Sequence, residues 1–455
     1  MYKSTRGSDC RTGLEAIMQG LAKDGGLFVP TFIPKLSIKS VLNDEYSQLA
    51  VRILTAYLPD IPEETLKVMV KAAISTFPGS KITPVIKVGE SYFLELFHGP
   101  TKAFKDIALS LLPHLYQFGE QKTKQKRVIL VATSGDTGSA TLAGFSQIPH
   151  ASVIVFYPYQ GISPYQEHQM LSYSSQNMHS IAIQGNFDVC QSLVKQLFST
   201  YPLLTSANSI NIGRLLPQIT YYFYAYKELV NNNHIKLGEA INFSVPTGNF
   251  GNILAGYLAR RMGCPIHRLL CCSNQNNVLT DFFRTGIYNR NRPFYTTNSP
   301  SMDIVVSSNL ERLLWWIGGE DEVNRCMKLL DETGTYTINP HHQSAYQLFY
   351  GGFATVEETN ATIQAVYKTN HYMMDPHTAV AYKVMNDYRK ETHDQHLTVV
   401  VSTASYEKFM DTMGPLFPGL PSSGDWNQDN EAQRTVWSQE EVQGRFQLLI
   451  KEMIK

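Results

Sequence analysis

Four absences narrow this chain before any motif is read. No apolar run approaches the roughly 18 residues needed to cross a membrane; "VILVA" and "VIVFY" are strand-sized. Cysteine is scarce, six in 455 residues at 10, 190, 264, 271, 272 and 326, and none makes a C-x-x-C. Such scatter argues against a disulfide framework and for reduced, buried thiols, as in the apolar "LLCC". Net charge is absent as well: 39 Lys plus Arg cancel 39 Asp plus Glu, so no overall field draws the chain to nucleic acid or to an anionic membrane. The pairs His341–His342 and His371–His377 have neither metal-ligand spacing nor an accompanying carboxylate cluster, and no metal is expected. The opening "MYKSTRGSDCRTGLEAIMQG" has no apolar core of a secretory signal, and the expected location is cytoplasmic.

What is present is a folding composition, 43% hydrophobic and 17% charged, in a length that holds roughly two to four domains. Residues 1 to about 90 read as mainly helical. "EYSQLAVRILTAYL" and "PEETLKVMVKAAISTF" place apolar residues at three- and four-residue spacing, and Pro62 stands where a helix would begin. Beyond them, β-branched runs at 91–96, 127–133, 152–157, 180–185, 241–246 and 397–402 alternate with helical patterns such as "DVCQSLVKQLFSTY" and "RLLPQITYYFYAYKELV". That alternation predicts an α/β architecture with parallel sheets. The polar, turn-rich "PGLPSSGDWNQDNEAQ" reads as a surface linker, and "SQEEVQGRFQLLIKEMIK" as a final amphipathic helix with Ser438 and Glu441 in capping-box spacing.

Two loops are built alike. "VILVATSGDTGSATLAGF" and "INFSVPTGNFGNILAGYLA" each run from an apolar strand through [Ser/Thr]-Gly-[Asp/Asn]-x-Gly into a helix. Glycines there leave backbone amides uncovered, and amides at a helix start favour an anionic group. Both are also compatible with ordinary βα turns. Neither carries the Lys-Ser/Thr of a nucleoside-triphosphate loop nor G-x-G-x-x-G, which argues against a dinucleotide-dependent oxidoreductase. Two anion cradles suit a cofactor that carries its own phosphate together with a carboxylate substrate. Pyridoxal phosphate fits that description and needs a lysine amine.

The segment "FHGPTKAFKDIALSLL" offers two candidates, Lys102 and Lys105, three positions apart on roughly one helical face. Spacing alone leaves open whether either is more than a solvated surface lysine. A sharper reading comes from whole motifs. "ELFHGPTKAFKD" resembles the lysine motif of the threonine synthases, pyridoxal-phosphate enzymes of fold type II. "ATSGDTGSA", "SANSINIGRLLPQ", "VPTGNFGN" and "DPHTAVAY" resemble further blocks of that family in the same order, and "QGLAKDGGLFVP" is similar to its amino-terminal segment. The likeness runs from about residue 10 to 415.

The resemblance implies fold type II, with parallel and mixed sheets flanked by helices and a mainly helical amino-terminal region. It suggests an amino-terminal domain over 1–90, a large pyridoxal-phosphate-binding domain over 91–126 and 205–420, a small α/β domain over 127–204, and a linker and helix over 421–455. Lys105 would bind the cofactor covalently. Gly248, Asn249, Phe250 and Asn252 would hold its phosphate, and Thr403 of "STA" would face the ring nitrogen. Ser134, Asp136 and Thr137 would receive the substrate carboxylate, and Asn208, Ser209, Asn211 and Arg214 the substrate phosphate. Lys102, apolar or aromatic in relatives, would be solvated or would supplement phosphate binding; His98 would pack or would touch the ligands. Ser405 and Tyr406 replace the His-Pro common after the threonine. The implied substrate is O-phospho-L-homoserine and the implied product L-threonine, with Lys105 moving protons at Cα and Cβ. The alternative is a phospho-lyase releasing 2-oxobutyrate, ammonia and phosphate from the same pocket. A monomer or homodimer is expected, with neither nucleic acid nor membrane as partner.

Overall fold

The computed structural model describes residues 1–420 and 425–454. Both amphipathic stretches near the start are helices, Tyr46–Tyr57 and Glu63–Ser75, packed on each other through Leu49, Ile53 and Leu54 and through Leu66, Met69 and Val70. Pro62 is the residue before the second helix, where a missing N–H costs nothing. Around them the region departs from the helical expectation. Cys10–Arg11, Tyr2–Ser4 and Phe28–Pro30 pair antiparallel in a three-stranded sheet. Strands of two or three residues are too short for alternation to register.

Two larger sheets organise the rest. One runs Phe349–Phe353, Ile266–Ser273, Ile241–Pro246, Thr398–Ser402, Ser91–Glu95 and Val85–Val88, parallel except for the last pair. The other runs Thr435–Trp437, Met178–Ile183, Ser152–Pro158, Val128–Ala132 and Leu204–Thr205, parallel throughout. All six predicted strands fall on observed ones. Their residues are buried on both faces, as expected where helices cover a parallel sheet. Cys271 and Cys272 lie fully buried in Ile266–Ser273; the thiols at 190, 264 and 326 are buried too, whereas Cys10 is exposed. Among the described residues no helix is long and apolar enough to cross a membrane.

Of the predicted surface linker, residues 421–424 lie outside the described residues, and Asp425–Gln433 is a helix instead. Thr435–Trp437 then adds a strand to the second sheet. The final helix, Val442–Ile454, packs Phe446 against Phe156 and Tyr201. One half of the expected capping box is present, the Ser438 amide donating to Glu441 at 3.0 Å.

Candidate active site

The segments that leave Val128–Ala132, Ile241–Pro246 and Thr398–Ser402 at their carboxyl ends line a single cleft together with Lys105. Open parallel sheets place ligands at that end.

Lys105 is delivered there by a closed turn. The Asp106 carboxylate accepts from the Thr101 amide at 2.9 Å and from the Thr101 hydroxyl at 2.5 Å, tying residues 101–106 together. The Phe104 amide donates to the Thr403 carbonyl at 2.8 Å and holds the turn against the strand end. A short helix, Lys105–Leu109, starts at the lysine itself. The buried Lys105 nitrogen sits 3.0 Å from Asp136 Oδ2 and 3.2 Å from Ser301 Oγ. Burial lowers its pKa despite the opposing pull of Asp136. The other lysine is a different case: Lys102 takes a left-handed backbone (φ 58°), pairs with Glu407 and does not line the cleft. His98 also lies outside it, bonded to Glu95 at 2.8 Å and stacked on Phe97.

Across from the lysine, the turn 247–250 leads into helix Gly251–Met262, with Phe250 at φ 63°. A Cβ on Gly248 would stand 2.5 Å from the Ser301 carbonyl, so only glycine lets the loop press against 300–304. Asn252 Oδ1 accepts from Tyr221 and Tyr222, both at 2.7 Å, while its buried Nδ2 has no partner among the described residues. Arg214 is similar. One nitrogen donates to the Ala207 carbonyl at 2.6 Å, and among the described residues Nε is buried without a partner and no carboxylate pairs with the guanidinium. Burial pushes its pKa down to about 10. Unpaired buried donors and an uncompensated buried cation are costly unless an anion completes them. A phosphate-bearing cofactor fits that arrangement.

Ser134, Asp136, Thr137, Asn208, Ser209, Arg214, Gly248, Asn249, Phe250, Asn252 and Thr403 all line the same cleft as Lys105. Asn211 does not. Its amide nitrogen is spent on the Ile17 and Ser206 carbonyls and on Tyr116, and its oxygen caps the Gly213 amide, so it is a structural clip. Asp136 also differs from expectation. Oδ2 faces Lys105, and Oδ1 faces Gln166 Nε2 at 2.9 Å and Lys408 Nζ at 3.2 Å. Although burial opposes ionisation, Lys105 and Lys408 hold its carboxyl well below the usual range. An anion so placed repels a substrate carboxylate, which leaves backbone amides and the hydroxyls of Ser134 and Thr137 for that task.

Sequence reasoning passed over Ser301, His377, Gln166 and Lys408. His377 accepts the Ser301 amide at Nε2 (3.3 Å), so its Nδ1 carries the proton toward Asp375, 2.9 Å away. It belongs to "DPHTAVAY", which pointed to the segment but to no residue in it. Nothing local marks Lys408. At the opposite, amino-terminal end of the large sheet, His267, Asp394 and His396 come close enough to share an ion. There the imidazoles stack at 3.9 Å, and Asp394 is already bonded to Tyr388, Asn242 and His396.

Residues 1–74 match the family described as "Threonine synthase N terminus", and residues 81–404 that described as "Pyridoxal-phosphate dependent enzyme". The chain is 36% identical to a threonine synthase of Saccharomyces cerevisiae, over 92% of this chain and 90% of the yeast one. With that of Schizosaccharomyces pombe it shares 38% identity, over 90% and 87%. A crystal structure of pyridoxal-phosphate-bound threonine synthase from Brucella melitensis superposes with a TM-score of 0.90 at 36% identity, covering 99% of both chains.

Proposed function

We infer that this chain, which belongs to the threonine synthase family of pyridoxal-phosphate-dependent enzymes, converts O-phospho-L-homoserine and water to L-threonine and phosphate. One observation carries the reading: a buried lysine of lowered pKa shares a cleft with two buried donors without partners among the described residues, Asn252 Nδ2 and Arg214 Nε. When bound, pyridoxal phosphate supplies the conjugated ring that acidifies the substrate Cα–H. Lys105 would hold it covalently, the amides of Gly248–Asn252 with Asn252 Nδ2 would hold its phosphate, and the Thr403 hydroxyl would meet the ring nitrogen.

The Lys105 amine, when not bonded to the cofactor, would take the Cα proton and exchange a proton at Cβ. One base can serve both carbons because they lie side by side. Arg214, with Asn208 and Ser209, would grip the leaving phosphate, the guanidinium gaining the counter-ion it lacks. Ser134, Thr137 and the amides at the start of helix Asp136–Phe145 would orient the carboxylate. Ser301, 3.2 Å from Lys105, narrows the cleft beside the reacting amine. A cytoplasmic monomer or homodimer acting on a small molecule, with neither nucleic acid nor membrane as partner, fits the net charge of zero.

The test is product identification. Purified protein with pyridoxal phosphate and O-phospho-L-homoserine is expected to yield threonine and inorganic phosphate one for one. Phosphate accompanied mainly by 2-oxobutyrate and ammonia would replace this reading with the elimination alone.

A further inference from the structure

We propose that Lys408 is a positioning residue that shares the Asp136 carboxylate with Lys105 and thereby sets the proton affinity of the Lys105 nitrogen. The inference deepens the proposed function and rests on it. Lys408 is fully buried, and a buried ammonium survives only where every proton is bonded. Here the three partners are the Thr101 carbonyl at 2.6 Å, Gln169 Oε1 at 2.9 Å and Asp136 Oδ1 at 3.2 Å. They come from three separate places: the turn that aims Lys105, helix Pro164–Leu171, and the start of helix Asp136–Phe145. Lys408 therefore joins both walls of the cleft at the height of the reacting amine.

The charges explain why it is needed. Asp136 is one carboxylate between two buried amines, so the trio balances only when one amine is neutral. Lys408 has all its donors engaged and does not line the cleft. Lys105 lines the cleft and offers one proton to Asp136 and one to Ser301. The amine that gives up its proton is therefore Lys105. Were Lys408 missing, Asp136 at 3.0 Å would hold Lys105 as an ammonium, which neither adds to an aldehyde nor takes a proton from carbon. Burial, Arg214 and Lys408 lower the Lys105 pKa while Asp136 raises it. The other titratable groups around the cluster, His377, Asp106, Asp303 and Arg214, are unchanged in the variants below.

The experiment follows the visible absorbance of bound pyridoxal phosphate as a function of pH. Lys408→Met is expected to move the midpoint upward by about one unit or more, a tenfold rise in proton affinity, because Asp136 then acts on the Lys105 nitrogen alone. Lys408→Arg restores a midpoint near that of the wild type. In an Asp136→Asn background, Lys408→Met moves it less, since only the direct repulsion between the two amines is then lost. A Lys408→Met midpoint within about 0.3 unit of wild type, or an equal shift in both backgrounds, overturns the proposal. If Lys408→Met does not fold, Asp136→Asn alone decides: a fall of about one unit supports the charge balance, and an unmoved midpoint overturns it. A wild-type protein that takes up no pyridoxal phosphate fails earlier, and with it goes the functional reading itself.

Discussion

Lys105 stands at the first position of its helix, on a turn closed by Asp106 and Thr101 rather than by its own side chain, so its amine can be removed while the turn stays. Lys105→Ala is expected to fold and to melt within a few degrees of wild type. It should lose covalent cofactor absorbance and at least about 10³-fold in turnover, read by phosphate release. Asp106 makes the second prediction at this scale. Burial pushes its carboxyl up to about 6 from an ordinary 3.8, so the folded chain binds this proton more tightly than the unfolded one. The resulting stabilisation is full below pH 3.8, is lost as pH rises, and is gone above about 6. Its size is of order 2 to 3 kcal/mol. Asp106→Asn should remove that part of the pH slope in urea unfolding between pH 4 and 7, with a smaller net loss at pH 7 than at pH 4.

At the same scale, what the sequence disclosed follows from what is local. Lys105 and the 247–252 loop stand in contiguous motifs, and both were legible there. Asn211 sits in an equally recognisable motif yet turns inward to clip three backbone groups, because neighbouring residues of one loop need not share a face. Lys408 left no trace. Its partner Thr101 lies 307 positions away, and no periodicity joins a buried amine to a carbonyl at that distance.

Among elements, strands were readable where β-branched residues ran together, as in Val128–Ala132 and Thr398–Ser402. Phe349–Phe353 escaped because "FYGGF" has a glycine pair, and Thr435–Trp437 because three residues next to a polar stretch carry no pattern. Helix contacts were invisible for a different reason: they depend on what is missing from a side chain. Helix Asp136–Phe145 crosses helix Lys105–Leu109 at Gly144, where a Cβ would stand 2.0 Å from the Leu109 carbonyl. The carbonyl is backbone and cannot move aside, so Gly144→Ala must push the two helices apart. Since one carries Lys105 and the other Asp136, their 3.0 Å contact should lengthen with it. The expected outcome is a loss of about 1 to 3 kcal/mol in unfolding free energy, together with a shifted pH midpoint of the cofactor absorbance. Ser146→Ala, two residues further on at the exposed end of the helix, serves as the control and should show neither change.

Across the whole molecule, the amino-terminal region is bound to the 247–250 turn rather than merely stacked beside it. Arg312, fully buried on helix Leu310–Thr333, donates to the Phe28 carbonyl at 2.9 Å, to the Ile210 carbonyl at 2.6 Å and to Asn309 Oδ1. Asn309 in turn gives its amide and its side-chain nitrogen to the Asn249 carbonyl, at 3.1 and 3.0 Å. Next door, Glu311 takes a two-pronged bond from Arg6 and another from Thr5. A path of four groups thus runs from the small antiparallel sheet to the loop assigned to the cofactor phosphate. Arg312→Met keeps the apolar stem and removes the guanidinium, taking the donor from two buried acceptors and a half-buried one, at about 1 to 3 kcal/mol for each left unbonded. Beyond a lower melting temperature, the dissociation constant for pyridoxal phosphate should rise tenfold or more, because Asn309 no longer fixes Asn249. The difference in melting temperature between loaded and empty protein should shrink accordingly. A folded Arg312→Met protein that binds the cofactor like wild type would mean that the loop holds its shape unaided and that the amino-terminal sheet contributes stability alone.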